Sequence, residues 1–273
     1  MMVESVAGGE RIERAFRSAR EAGRGALIPY LVAGDPDHAT SSRLIAVAAA
    51  AGADIIELGI PYGDPLADGP TIAAAAQRSL ERGTTIDDAI ALAAGAARLG
   101  APPILMFTYF NPILQFGLER FAAAIAAAGA CGAIVPDVPL EETGAIRDAF
   151  APFGLALPLL VAPTTPDARA ATIAHASDGF TYVVSRLGVT GARSEPDFSW
   201  LADRIATLRR VTDAPLAIGF GLSTAEHVRR AFAIADGAIV GSALIDAYAG
   251  TSGDEAVARA SRYLQGLLAG DSG

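Results

Sequence analysis

Glu57 and Asp68 are the residues with which this chain could do acid–base chemistry. They lie in a stretch rich in Asp, Pro and Gly, Glu57 to Pro70, between the apolar run Ala53 to Ile56 and an alanine-rich helical segment that starts at Thr71. Alternation along a strand puts Ile55 and Glu57 on one side, so Glu57 points with the apolar set. A carboxyl group buried there without a partner is raised in pKa, which makes it a general acid or base near neutral pH. The competing reading is a solvated strand end followed by ordinary turn chemistry.

Other chemistries are narrowed by what is missing. All 21 basic residues are arginine, so lysine-dependent aldol cleavage and covalently held pyridoxal phosphate are excluded from this chain. His38, His175 and His227 fall in separate segments without metal-ligand spacing and are expected at the surface or at helix ends. Cys131 has no second cysteine to pair with, which fits a reducing compartment, and beside the run Gly132 to Val135 it is expected to be inert. The net charge of -9 argues against nonspecific nucleic-acid binding. Met1 to Phe16 lacks an apolar signal region and no long apolar run is uninterrupted, so neither a secretory signal nor a membrane span is expected, and a cytoplasmic location follows.

The elements that must hold the acids alternate between strand-length apolar runs and helical segments, the pattern of βα units around a parallel sheet. Strands are expected at Ala26 to Val32, Asp54 to Leu58, Pro103 to Phe107, Gly132 to Val135, Ala156 to Val161, Gly179 to Val184, Pro215 to Gly219 and Gly237 to Val240. Helices are expected at Ser41 to Ala51, Thr85 to Leu99, Leu118 to Ala128, Glu141 to Ala151, Pro166 to Ala176, Phe198 to Val211 and Ser223 to Phe232, with a last helix from Gly253. An additional N-terminal helix, Gly8 to Ala22, plugs or flanks the core. About eight units close a (β/α)8 TIM barrel, here expected as one domain over residues 1–273. A doubly wound sheet is the rival, but Ala33-Gly34-Asp35-Pro36-Asp37 after the first strand lacks its glycine fingerprint.

In a barrel the loops after the strand C-termini carry function. Glu57 to Pro70 follows strand two. Gly219-Phe220-Gly221-Leu222-Ser223 follows strand seven and Gly241-Ser242 follows strand eight, where glycine N–H groups and a helix start would hold a phosphate. Ser185 to Pro196, after strand six, is a candidate lid with a surface loop as its alternative. Asp137, in Pro136-Asp137-Val138-Pro139, reads as a cap before Glu141 or as a functional acid. Tyr109-Phe110-Asn111-Pro112 fits a rim of packing aromatics.

Together these motifs resemble the tryptophan synthase α-subunit family. The resemblance is carried by Glu57-Leu58-Gly59-Ile60-Pro61-Tyr62-Gly63-Asp64-Pro65-Leu66-Ala67-Asp68-Gly69-Pro70-Thr71-Ile72. Gly34-Asp35-Pro36, Tyr109-Phe110-Asn111-Pro112, Pro136-Asp137-Val138-Pro139, Ser185-Arg186-Leu187-Gly188-Val189-Thr190-Gly191 and Gly219-Phe220-Gly221 follow in family order. It implies a cofactor-free barrel that cleaves indole-3-glycerol phosphate to indole and glyceraldehyde 3-phosphate by a retro-aldol reaction. It also implies that Glu57 is the general acid/base and that Asp68 binds the indole N–H. Tyr182 is implied near Glu57, with Tyr30, Tyr109, Ile134, Phe220 and Ile239 around the indole. The phosphate is implied on Gly191, Gly221, Gly241 and Ser242, and Thr190 is implied to contact Asp68 on loop closure. The implied partner is a β subunit carrying pyridoxal phosphate, in an αββα complex, with Asn111 and Asp137 in loops facing it. A free-standing indole-3-glycerol phosphate lyase and a non-catalytic phosphate-binding barrel are the alternatives. Two residues depart from the family pattern: Gly63 stands for a usual Ser, and Leu187 for a small polar residue.

Overall fold

Strands that are apolar on both sides need cover on both faces, and a closed barrel inside a ring of helices supplies it. The computed structural model of the protein describes residues 7–185 and 196–269. Its strands are β1 (Ala26–Val32), β2 (Ile56–Gly59), β3 (Ile104–Phe107), β4 (Gly132–Ile134), β5 (Leu159–Val161), β6 (Thr181–Val184), β7 (Leu216–Gly219) and β8 (Gly237–Val240). All pair in parallel, in the order β4-β3-β2-β1-β8-β7-β6-β5. A bridge between Gly132 and Ala156 joins the two ends, so the sheet curls into the (β/α)8 barrel.

Around it lie α1 (Gly8–Glu21), α2 (His38–Ala50), α3 (Pro70–Glu81), α4 (Ile86–Arg98), α5 (Phe110–Phe116), α6 (Leu118–Ala127), α7 (Gly144–Phe150), α8 (Asp167–Ala176), α9 (Phe198–Arg209), α10 (Ala225–Ile234), α11 (Ser242–Tyr248) and α12 (Gly253–Leu268). The extra helix α1 buries Ile12 and Phe16, the latter 5.5 Å from the Phe180 ring. It approaches so closely that a Cβ on Gly8 would lie 1.9 Å from the Cys131 carbonyl oxygen.

Acids at the N-terminal ends of the even-numbered strands tie neighbouring strands together. Asp54 donates its N–H to the Leu27 carbonyl (2.9 Å) and accepts the Leu27 N–H on its carboxylate (2.8 Å). Asp178 does the same with Leu157, and Asp236 with Leu216. Each carboxylate is neutralised by arginine: Arg24, Arg147, and the pair Arg20 and Arg209. At the fourth such place Cys131 keeps the backbone half of the arrangement, donating to the Ile104 carbonyl at 2.8 Å, but has no carboxylate for the return bond.

Some boundaries differ from those expected. Pairing of β5 with β6 starts at Leu159 rather than at Ala156, because Pro158 has no N–H and the Leu157 and Leu159 N–H groups go to the side chains of Asp178 and Ser177. The segment expected as one helix from Glu141 to Ala151 is a 3-10 turn (Leu140–Glu142), then α7, then a second 3-10 turn (Ala151–Phe153). The Thr143 hydroxyl, bonded to the Leu140 carbonyl, and Pro152 account for the interruptions. Helix α5 starts at Phe110, inside the expected aromatic rim. Asp137 caps it, accepting the Phe110 N–H at 3.0 Å, rather than the local segment before Glu141.

Candidate active site

Residues in register on parallel strands share a face. Tyr30 is paired with Glu57 and Glu57 with Leu105, so these side chains lie on one side of the sheet. On the far side of the barrel Tyr182 is paired with Leu160 and Ala217. Strands β1 and β6 are separated by β8 and β7, yet Tyr182 lies close enough to feel both Glu57 and Tyr30, and Tyr30 feels Glu57. They therefore meet across the interior, toward the C-terminal ends of the strands.

Glu57 is 1% exposed, and its Oε1 has no hydrogen-bond partner among the described residues. Burial without a compensating donor disfavours the carboxylate and pushes its pKa up to about 8. An isolated buried charge costs several kcal/mol, so Glu57 is a protonated acid at neutral pH. The neighbouring phenols, Tyr30 and Tyr182, are raised well above their ordinary pKa, first by burial and then by nearby acids, and stay O–H donors.

Asp68 lies on the loop that joins β2 to α3 and is half-buried. Burial raises its pKa to about 6, although the Tyr109 hydroxyl beside it favours the ionised form. That hydroxyl also accepts the Ala67 N–H at 2.9 Å, so Tyr109 fixes the loop at the position of Asp68. Tyr62 stacks on Tyr109 at 5.4 Å and accepts from Asn111, extending this support to α5. The helix following the loop is anchored as well. The carboxylate of Asp35, fully buried, accepts two hydrogen bonds from Arg78 of α3 (2.9 and 3.0 Å) and a third from the Tyr248 hydroxyl (3.3 Å). The two acids thus differ in environment: one lies deep and unpartnered, the other at the rim and braced.

The remaining expected residues fall around the same mouth. Ile134 ends β4 and Ile239 lies in β8, both buried. Phe220 follows β7 in the left-handed region (φ 68°), with its ring edge-on to Tyr182 at 5.8 Å. A non-glycine residue held there costs about 1–3 kcal/mol, the kind of strain found at functional sites. Gly221 is left-handed too (φ 86°), Gly241 packs against the Tyr30 ring, and Ser242 opens α11. Thr190 and Gly191, with Leu187 and the body of the candidate lid, lie outside the described residues. The histidines stay apart at helix ends: His38 starts α2, His175 is in the last turn of α8, and His227 is in the first turn of α10. Cys131 is buried at the opposite end of the barrel, under α1.

Sequence reasoning missed three contributors. Phe107, in register with Gly59 and Ile134, meets Tyr30 edge-on at 5.4 Å; the Leu105, Phe107 alternation of β3 carried that signal. Gly59 and Gly219 leave the room that the Tyr30 and Tyr182 hydroxyls fill, a relation visible only across strands.

Fold and site together define a (β/α)8-barrel enzyme with its candidate acid–base groups at the C-terminal ends of the strands. A family model described as tryptophan synthase alpha chain matches residues 16–268. The tryptophan synthase alpha chain of Chloroflexus aurantiacus is 48% identical over 259 residues, covering 94% of this chain and 97% of that protein. The alpha chain of a Picosynechococcus species is 46% identical over 257 residues, with the same coverage. Among solved structures, a chain of Mycobacterium tuberculosis tryptophan synthase superposes with a TM-score of 0.87 at 35% identity, covering 94% of this chain and 96% of that one. The chain belongs to the tryptophan synthase alpha chain family. It is therefore a lyase of tryptophan biosynthesis, and the family implies a β-subunit partner. No helix among the described residues is long and apolar enough to cross a membrane.

Proposed function

We propose that this chain cleaves indole-3-glycerol phosphate to indole and glyceraldehyde 3-phosphate, with Glu57 and Asp68 as its acid–base pair. The observation that carries this reading is Glu57 itself, a buried carboxyl group with an unpartnered oxygen facing two phenols, beside a second acid of lower pKa. Protonated Glu57 delivers its proton to indole C3. Asp68 accepts the indole N–H and stabilises the positive charge that spreads onto the ring. The bond from C3 to the glycerol carbon then breaks, its electrons restore the aromatic ring, and the hydroxyl on that carbon becomes the aldehyde. Glu57, now ionised, takes up the hydroxyl proton, so the cycle closes without net proton change.

In this reading Tyr182 lies beside Glu57, and Tyr30, Tyr109, Ile134, Phe220 and Ile239 enclose the indole. Gly191, Gly221, Gly241 and Ser242 hold the phosphate, and Thr190 meets Asp68 when the loop after β6 closes. The chain needs no cofactor of its own. Pyridoxal phosphate belongs to the β subunit, which receives the indole within a cytoplasmic αββα assembly, and residues 1–273 act as one barrel domain. The test is indole release from indole-3-glycerol phosphate by the purified chain, with and without β subunit. Turnover that rises sharply with β subunit supports the full reading. Turnover indifferent to it marks a free-standing lyase, and no turnover in either case defeats the proposal.

A further inference from the structure

Ser185 directly follows β6 and is 4% exposed. Its N–H donates to the Gly219 carbonyl at 2.9 Å, and its hydroxyl donates to the carbonyl of Phe220. Phe220 is the one non-glycine residue with positive φ among the described residues. A glycine would adopt that conformation without strain but would bring no ring to stand against Tyr182. The position therefore needs a side chain in a conformation that disfavours side chains, and Ser185 supplies the bond that holds it.

The consequence lies one atom further on. A trans peptide is a rigid plane in which the C=O and the following N–H point in opposite directions. With the Phe220 carbonyl tied to Ser185, the Gly221 N–H must face away from β6. Among the described residues it has no acceptor. Gly221, Gly241 and Ser242 are all partly open to solvent.

We propose that Ser185 is a positioning residue for phosphate: its hydroxyl locks the Phe220–Gly221 peptide so that the Gly221 N–H is presented to an anionic oxygen while the Phe220 ring stays over the apolar end of the pocket. This rests on the assignment of Gly221 to the phosphate, and it touches neither acid. Without the hydroxyl the peptide is free to rotate, relaxing Phe220 and turning the N–H out of the site. Phosphate affinity falls, while the apolar part of the pocket is still formed by the strands.

The experiment measures binding of inorganic phosphate and, separately, of indole to the unmodified chain and to Ser185→Ala, together with KM and kcat. Phosphate is expected to bind about tenfold more weakly to the variant, equivalent to about 1.4 kcal/mol. KM should rise by a similar factor, kcat should change much less, and indole affinity should be unchanged. Equal phosphate affinity in the two proteins, or equal loss for phosphate and indole, overturns the proposal. Should the alanine variant not fold, Ser185→Thr and Ser185→Val form a pair of equal shape in which only Thr keeps the hydroxyl, and only Thr should retain phosphate binding. A readout that needs no variant is the Gly221 amide resonance of the unmodified chain. It should move on phosphate titration, and an amide that stays still contradicts the assignment. If phosphate binds and depends on Ser185 while indole is never released from the substrate, the proposed reaction fails and the role of Ser185 stands.

Discussion

Gly59 and Tyr30 exclude one another's side chains: a Cβ built on Gly59 would lie 2.2 Å from the Tyr30 hydroxyl oxygen. The same relation holds between Gly219 and Tyr182, also at 2.2 Å. Two glycines, one two residues beyond Glu57 on β2 and one at the end of β7, thus set where the two phenols beside Glu57 can stand. Gly59→Ala and Gly219→Ala are expected to lower kcat/KM by more than tenfold and to cost about 1–3 kcal/mol of stability through overpacking. Steady-state kinetics and chemical denaturation of each variant check this. Wild-type rates in both would show that the phenols need not stand there.

The two acids predict a pH profile. In the proposed reaction, Asp68 takes up a proton below a pH of about 6 and loses the charge that would stabilise the indole cation. Above about 8 Glu57 loses the proton that the proposed reaction has it deliver. The dependence of kcat/KM on pH should therefore be a bell with its top between those values. Stability carries a separate signature. The native pKa of Glu57 is raised above its ordinary 4.5, so its contribution is fully present below about 4.5 and is lost as pH rises to about 8. Asp68→Asn should remove the acid limb of the rate profile, and an acid limb that persists would mean another group controls it.

Gly63 reads as a departure from the family pattern, and the structure makes a serine there easy to test. Its φ is not in the left-handed region, and a Cβ there would meet only the Leu80 side chain at 3.8 Å. Gly63→Ser should fold normally and change stability by less than about 1 kcal/mol, on the stabilising side, by restricting the unfolded chain. Thermal melting measures this, and a marked loss of stability would show that the loop needs glycine here.

Cys131 stands where Asp54, Asp178 and Asp236 stand on the other even-numbered strands. Arg11 lies close enough to influence its thiol and already donates to the Gly129 carbonyl at 3.0 Å, so a counter-ion is in place. Cys131→Asp should complete the fourth tie, to the Ile104 N–H, and raise stability by about 1 kcal/mol. Adding Arg11→Ala should reverse the gain, because the new carboxylate would then be buried unpaired. Lower stability of the single variant would show that the site cannot take the carboxylate.

The strands were legible because buried βα units leave unbroken apolar runs, and β1 and β8 fall where those runs do. Glu57 was legible for the same reason, as a polar residue in an apolar register. Where reading failed, the cause was a partner distant in sequence. Pro158, with the side chains of Ser177 and Asp178, shortens β5, and the role of Asp137 at α5 depends on two loops meeting. The left-handed Phe220 could not be foreseen, since nothing local favours that conformation for phenylalanine and the bond that holds it comes from Ser185.

Indole release from indole-3-glycerol phosphate by Glu57→Gln, beside the unmodified chain and Asp68→Asn, tests the central claim most directly. The amide keeps the shape of the buried carboxyl but cannot give up and regain the proton, so turnover should fall by on the order of a thousandfold with substrate binding largely retained. Asp68→Asn should show a large but less complete loss. Turnover by Glu57→Gln equal to that of the unmodified chain would contradict the account.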